Sequence, residues 1–481
     1  MRLEEAVKYS LIKAEELNIP QLEVYAVKSY VNSIDVEKTN VTTVTRSIAG
    51  ISIRAATKDN VGFSFTMTLT KEAIEETIKA ALSNAKAKGK DEYFKSLPEP
   101  MESEPFERKI DENILSLNTA TMIEYYDEAK SVIDSRNIKT LGGKIVSIYG
   151  EARVANTLGI DFSDRIAGLA AWIYAGSLKE LPPAIGFWVQ VTDKLEEFNP
   201  YSLGKRVAEE TKRAMKAKTM SFSGKTTVIF EPPAVSSLMW IFEREVAADN
   251  VDRGATPFHR SQIEKQVASK MLTIIDDGRS SYNPLATIRD DEGVPTKRNK
   301  IIDNGILKLF LTDYYYARKW GVEPTGNGVR KGGMAFNTLV AEPQPSAHFL
   351  EITSDNEAPL SFLIESVNEG FLIRDIMGVH MSDFSSGKFS VPAFGWYIKN
   401  GEVKYPVRNI MISGTIPELL KKVYLVSKEK EVMWGQVPGR YSYIACSDIL
   451  VSATEPSTRE KFALSLINLL LKLGIYKSPI A

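Results

Sequence analysis

The sequence predicts an α+β protein in two domains: one of mixed strands and helices over 1–220, and a sheet-dominated one over 221–481. Three observations lead there. A chain of 481 residues exceeds what one hydrophobic core sustains. Its first 220 residues alternate period-2 segments with Lys/Ala-rich helical ones. From "KTMSFSGKTTVIF" (218–230) onward, strands and glycine turns dominate and helices are few.

Taken in order, "MRLEEAVKYSLIKAEELN" reads as an amphipathic helix with charges throughout, unlike a signal peptide. "QLEVYAVKSYVNSIDVE" and "TNVTTVTRS" alternate as strands do, and "GISIRAATKDNVGFSFT" reads as a hairpin around Asp59 and Asn60. A helix follows over 70–88, with Thr70 as its N-cap. Residues 89–117 are polar and proline-bearing, hence a loop. A helix at 119–135, three strands ("KIVSIYGEARVAN", "IAGLAAWIYAG", "IGFWVQVTD") and a helix at 203–218 complete the domain. Gly62-Phe63 and Gly186-Phe187 each precede a Lys/Ala-rich helix, a recurrence that reads either as internal duplication or as chance similarity. In the second domain, "NGILKLFLTDYYYARKWG" reads as strand then helix, and Asn400-Gly401 marks a hairpin.

Composition narrows the partners. Sixty basic residues against 61 acidic leave a net charge of −1, with no basic run interleaved with aromatics, so nucleic acid is not expected. The single cysteine, Cys446, excludes an intrachain disulfide and any multi-cysteine zinc site, and it fits a reducing, cytoplasmic setting. No membrane is expected: the most apolar window, 462–476, is interrupted by Lys472 and is too short to span. It reads as a core or interface helix.

Chemistry is scarce. His259, His348 and His380 are the only histidines, and no two lie at helical spacing, so no helix presents a histidine pair to zinc. There is no Gly-x-Ser-x-Gly elbow and no phosphate loop. The stretch "LMWIFEREVAADNVDRGATPF" (238–258) reads as a helix whose apolar stripe turns acidic, with Glu245, Asp249 and Asp252 at i, i+4 and i+7. Hard cations accept such oxygens; equally, the acids pair with Arg244 and Arg253. Asp276, Asp277, Asp290, Asp291 and Glu292 lie in Asp/Gly turns, where backbone geometry alone favours them. Cys446 sits in a buried-strand pattern and reads as structural.

"MLTIIDDGRSSYNPLATIRDDEGVPTKRNKIIDNGILKLFLTDYYYARKWGVEPTGNGVRKGGMAFNTLV" and "GVHMSDFSSGKFSVPAFGWYIKNGEVKYPVRNIMISGTIPELLKKV" resemble the TldD/PmbA (TldE) family, also called modulators of DNA gyrase. The resemblance runs through the whole chain in order and is specific over about 220–425. Lys388 departs from the aspartate usual in the family before Phe389. It implies an α+β N-terminal domain and a peptidase-like C-terminal domain of mainly antiparallel sheet with a few helices.

In this family, TldD-type chains carry His-Glu-x-x-x-His on a helix and bind the catalytic metal with a downstream cysteine. TldE-type chains lack those histidines. Anchored on Arg253, the two histidine positions fall near Trp240 and Glu245, so the resemblance is to the metal-free kind, and the stretch looks like a former metal helix. The resemblance therefore implies a non-catalytic partner of a TldD-type zinc metallopeptidase that cleaves small or unfolded peptides in an enclosed chamber. No cofactor is expected in this chain and zinc is expected in the partner; alone, the chain would form a homodimer or none. Asp290, Glu292, Asn327, Arg330, Asn337 and His380 are the candidates for peptide contact. The alternative is an independently active hydrolase using a carboxylate-bound metal or His380.

Overall fold

The structure is a computed structural model that describes residues 1–37, 40–104, 110–177, 184–331 and 338–455, with Ser457 and Ser465. The expected helix at 462–476, apart from Ser465, and the candidate Asn337 lie outside the described residues.

The N-terminal strands pair by the period-2 pattern that marks them. Helix α1 (Leu3–Glu16) leads into β1 (Gln21–Glu37), β2 (Asn40–Ala56), β3 (Val61–Thr66) and α2 (Lys71–Lys88). Thr70 caps α2, its hydroxyl accepting from the Ala73 N–H at 3.3 Å, as its place before the helix predicts. A short α3 (Glu112–Leu115) precedes α4 (Thr119–Ile133), β4 (Lys139–Asn156), β5 (Asp161–Ser177), β6 (Ala184–Thr192) and α5 (Pro200–Met215). The six strands form one antiparallel sheet in the order β3-β2-β1-β4-β5-β6. The two expected segments at 39–47 and 50–56 are one strand, β2, whose first half is exposed and whose second half is core.

That order sets two halves of like topology side by side. Two helix–three-strand–helix units meet at β1 and β4, where Tyr30 faces Tyr149 with the rings stacked 6.5 Å apart. In each third strand one glycine lets a helix press onto the sheet. A Cβ on Gly62 would lie 2.2 Å from the Ala85 nitrogen of α2; one on Gly186 would lie 2.5 Å from the Thr211 nitrogen of α5. Gly62 pairs with Ala55 and Gly186 with Ala175, so the small residues recur in register.

The second sheet begins at β7 (Phe222–Phe230), followed by α6 (Pro232–Glu245) and α7 (Ala248–Asp252). Next come β8 (Thr273–Asp277), β9 (Arg298–Asp303), β10 (Ile306–Leu307), α8 (Tyr314–Trp320), β11 (Gly328–Val329), β12 (Gln344–Pro345), β13 (Leu350–Thr353) and α9 (Leu360–Glu365). The described domain closes with β14 (Glu369–Ile376), β15 (Lys388–Lys399), β16 (Glu402–Thr415), α10 (Ile416–Lys422), β17 (Val423–Met433) and β18 (Gly439–Ala453). The order is β10-β9-β8-β13-β18-β16-β15-β14-β7, mostly antiparallel, with β17 on β18 and β11 paired only to β12. β7 pairs back onto β18, so β18, β16, β15, β14 and β7 close into a ring. Asn400 and Gly401, both at positive φ, turn the β15–β16 hairpin.

Helix α6 is the centre of this domain's core. Val235, Leu238, Met239, Phe242 and Val246 are all buried there, as the apolar stripe predicts. Burying such a helix face against sheet contributes roughly 1.5–3 kcal/mol per large side chain. Among the described residues, no helix is long and apolar enough to cross a membrane.

Candidate functional site

The helical stripe that runs on through Asp249 and Asp252 in sequence is broken in space. After Glu245 the chain leaves α6 to bridge the 311 region: the Leu311 N–H donates to Val246 O, and the Ala248 N–H donates to Leu311 O, both at 2.9 Å. α7 then starts afresh. Glu245, Asp249 and Asp252 therefore share no helical face, which corrects the i, i+4, i+7 reading.

Two of the acids have partners. Asp249 accepts from Arg244 at 3.2 Å and Arg253 at 3.1 Å, the pairing that the sequence offered as one of two possibilities. Asp252 takes Lys319 at 2.6 Å and the Trp320 indole N–H at 3.0 Å. Glu243, inside the helix, accepts from Lys331, Ser346 and the Ala347 N–H through one oxygen.

Glu245 differs. Its side chain is fully buried and neither carboxylate oxygen has a hydrogen-bond partner. Burial pushes its carboxyl up to about 9, so it is neutral at physiological pH. It faces Gly387, where an added Cβ would stand 2.1 Å from Oε1. Trp240, one and a half turns earlier, meets the same turn edge-on through Phe384, ring centroids 5.2 Å apart. The two positions singled out on α6 thus converge on the 384–387 turn.

These residues do not fit a metal. A protein zinc site draws on three or four donor side chains, and of Trp240 and Glu245 only the latter supplies a donor. An indole offers no lone pair for coordination. Among the described residues, no three His, Cys, Asp or Glu side chains come together in a way that could hold an ion. Cys446 is buried in β18 with its thiol pushed up by desolvation, so it is no thiolate nucleophile. His348 bonds Gly326 O at 2.8 Å through Nε2, a structural role. His259 opens a turn at 260–262. His380 lies exposed in the 379–381 turn, beside an 83% exposed Met381.

The remaining candidates converge where the two domains meet. Glu292 Oε1 accepts from Arg54 Nη1 at 2.7 Å, and Oε2 accepts from the Tyr314 N–H at 2.8 Å. Arg54 also bonds Glu23 through Nε at 2.8 Å, and Glu23 takes Arg330 Nη2 at 3.0 Å. Arg330 reaches across to Ser52 Oγ at 3.1 Å while its guanidinium lies 4.5 Å from the Tyr25 ring centre. Asp290 holds the Gly328, Glu292 and Val294 N–H groups. Asn327 bridges Asp276 at 2.6 Å and Ser346 O at 2.8 Å.

All of these side chains are buried, so the structure gives Asp290, Glu292, Asn327 and Arg330 partners inside the chain. Desolvation, then the nearby Glu292 charge, pushes Asp290 and Asp313 well above the usual carboxylate range. Sequence reasoning missed Glu23 and Arg54. The available signal was weak: a charge between apolar neighbours on each strand, Leu22-Glu23-Val24 and Ile53-Arg54-Ala55.

A cleft of about 660 Å³ opens onto this junction. Arg54, Glu292 and Asp313 lie on its inner side, with Lys88, Tyr93 and Glu342 among its outer walls. Its lining carries charges of both signs.

Comparison with known proteins adds relatives to this geometry. The PmbA/TldA metallopeptidase C-terminal domain matches residues 223–457, and PmbA/TldA metallopeptidase domain 1 matches residues 22–85. The chain is 25% identical over 409 residues to a Buchnera aphidicola protein named metalloprotease TldD homolog, covering 81% of each. Its fold is similar to that of TldE from Thermococcus kodakarensis, with a TM-score of 0.80 at 24% identity over 93% of this chain and 100% of that one. It is also similar to a proposed modulator of DNA gyrase from Thermotoga maritima, with a TM-score of 0.83 at 24% identity over 94% and 100%.

Proposed function

The chain belongs to the PmbA/TldD metallopeptidase family, and from that membership we propose that it is a non-catalytic subunit of the TldE kind. In this reading it pairs with a TldD-type subunit that carries the zinc, and together they enclose a chamber in which small or unfolded peptides are cut. The observation that carries the proposal is the pairing of Trp240 and Glu245 against the 384–387 turn. The positions that the family resemblance assigns to metal-binding histidines hold an indole and a neutral, buried carboxyl.

What this chain contributes is then architectural. The Glu23–Arg54–Glu292–Arg330 network ties its two domains together, so that both sheets present one wall. Zinc in the partner would supply the activated water and polarise the scissile carbonyl. No residue of this chain is assigned to the bond-breaking step.

The test is co-expression with a TldD-type chain from the same genome, tagged on one subunit only. Co-elution in a fixed ratio, with cleavage of unfolded casein by the pair and none by this chain alone, supports the proposal. Cleavage by this chain alone would contradict it.

A further inference from the structure

A second cleft lies away from α6, where the outer edge of β6 faces the C-terminal domain. Its volume is about 430 Å³. One wall is an unbroken run of residues, Trp188 to Lys194. The other holds Tyr282, Pro284, Val432 and Trp434. β6 is the last strand of its sheet, and among the described residues nothing pairs with its outer edge. Alternate N–H and C=O groups of an edge strand face outward without a ladder partner.

Natural edge strands are usually blunted by lysine, proline, a bulge or a very short length. This one is not. Its lining segment, "WVQVT" at 188–192, has no charge and no proline, and its register with β5 runs without a shift. The aromatic groups around it are held in place. The guanidinium groups of Arg206 and Arg374 lie 4.4 and 5.2 Å from the Trp188 ring centre. Tyr282 lies 4.1 Å from the Arg440 guanidinium, and Trp434 packs on Phe349. At the far end of the run Lys194 pairs with Glu197 at 2.8 Å, and Asp193 leaves the lining one net negative charge, which disfavours an anionic ligand.

We infer that this cleft binds an extended polypeptide segment with apolar or aromatic side chains, which adds to β6 as a seventh strand. A peptide main chain is the ligand whose donors and acceptors alternate at strand spacing, and the opposing rings fit its side chains. The inference needs neither metal nor partner subunit, so it stands or falls apart from the function proposed above.

The test uses the purified full-length chain and fluorescence anisotropy. The probe is a labelled ten-residue peptide of alternating valine and threonine, with phenylalanine at its centre and lysine at each end. The control is the same peptide N-methylated at every second residue, which removes the donors that strand addition needs. Saturable binding of the probe is expected, weakened about tenfold or more by N-methylation, the loss of more than one net hydrogen bond. Tyr282→Ala and Trp434→Ala should each weaken it severalfold while the chain stays folded, Trp434→Ala with a lowered melting temperature because that ring packs on Phe349.

Proline placed singly at Val189, Gln190 and Val191 gives a second readout. Consecutive N–H groups alternate between β5 and the cleft, so a proline whose N–H faced the cleft folds and fails to bind. Equal binding of both peptides, no binding at all, or indifference to the Tyr282 and Trp434 variants would overturn the inference. Concentration-dependent self-association that the folded proline variants abolish would overturn it in favour of a second copy of this chain.

Discussion

Arg54 of the N-terminal sheet places Nη1 2.7 Å from Glu292 Oε1 of the C-terminal domain, with both side chains buried. The pair joins segments 238 positions apart. The same guanidinium also holds Glu23, and desolvation opposes its charge while the two acids restore it. Removing Arg54 leaves two buried acids without their shared counter-charge, Glu23 keeping Arg330 and Glu292 keeping the Tyr314 N–H. Arg54→Ala should cost about 3–5 kcal/mol in urea unfolding, the range for breaking a buried ion pair from one side. A loss below about 1 kcal/mol, the scale of an exposed pair, would show that the junction is not held by this network.

Glu245 supplies a pH test. Its folded-state value, about 9, lies far above the 4.5 of a free glutamic acid. A raised folded value means that the stability contribution is complete below the unfolded value and is lost as pH climbs from there toward the folded value. The native chain should therefore lose stability between about pH 4.5 and pH 9 through this group, on the order of 3 kcal/mol by pH 7. Glu245→Gln should match the native protein near pH 4.5 and exceed it increasingly toward pH 8. Melting temperatures of both proteins across that range check it; parallel curves would mean that Glu245 is ionised or bonded in solution.

The two third-strand glycines make a matched pair. A methyl group on Gly186 would lie 2.4 Å from Thr211 Oγ1 and 2.6 Å from Val207 O; one on Gly62 would lie 2.1 Å from Ala81 O. Each glycine-to-alanine change should destabilise by about 1–3 kcal/mol, the cost of overpacking. Gly89→Ala, where nothing lies near but φ is +79°, tests the separate cost of a left-handed position. If Gly62→Ala or Gly186→Ala is neutral, the helices yield at these contacts and the close approach does not require glycine.

Thr70 offers a smaller, local change. Thr70→Ala removes the acceptor for the Ala73 N–H and should cost about 1 kcal/mol in thermal or urea unfolding. A neutral result would mean that water or the neighbouring chain caps α2 equally well.

Much of the architecture was legible because it is local. Period-2 alternation marks β1, β4 and β5, Thr70 and Asn400-Gly401 mark an N-cap and a hairpin, and the Gly-Phe pairs point to two halves of like topology, which the strand order displays. The break of α6 was not legible, because its cause is pairing with Leu311, 65 residues onward in the chain. A helical pattern in one sequence window carries no trace of such a competitor. The same holds for Asp290, Glu292 and Arg330. Their residue types suit a turn, a binding surface and a buried network alike, and the deciding partners, Glu23 and Arg54, lie in the other domain.

As proposed, this chain is the metal-free half of a peptidase pair. The most direct measurement is elemental analysis of each subunit after the co-purified pair is separated under native conditions, combined with peptide cleavage by the pair reassembled after Glu245→Gln in this chain. No stoichiometric zinc in this chain, zinc in the partner, and undiminished cleavage by the variant pair are expected. About one tightly held zinc in this chain, released by Glu245→Gln together with activity, would contradict the proposal, because a structural acid holds no catalytic metal.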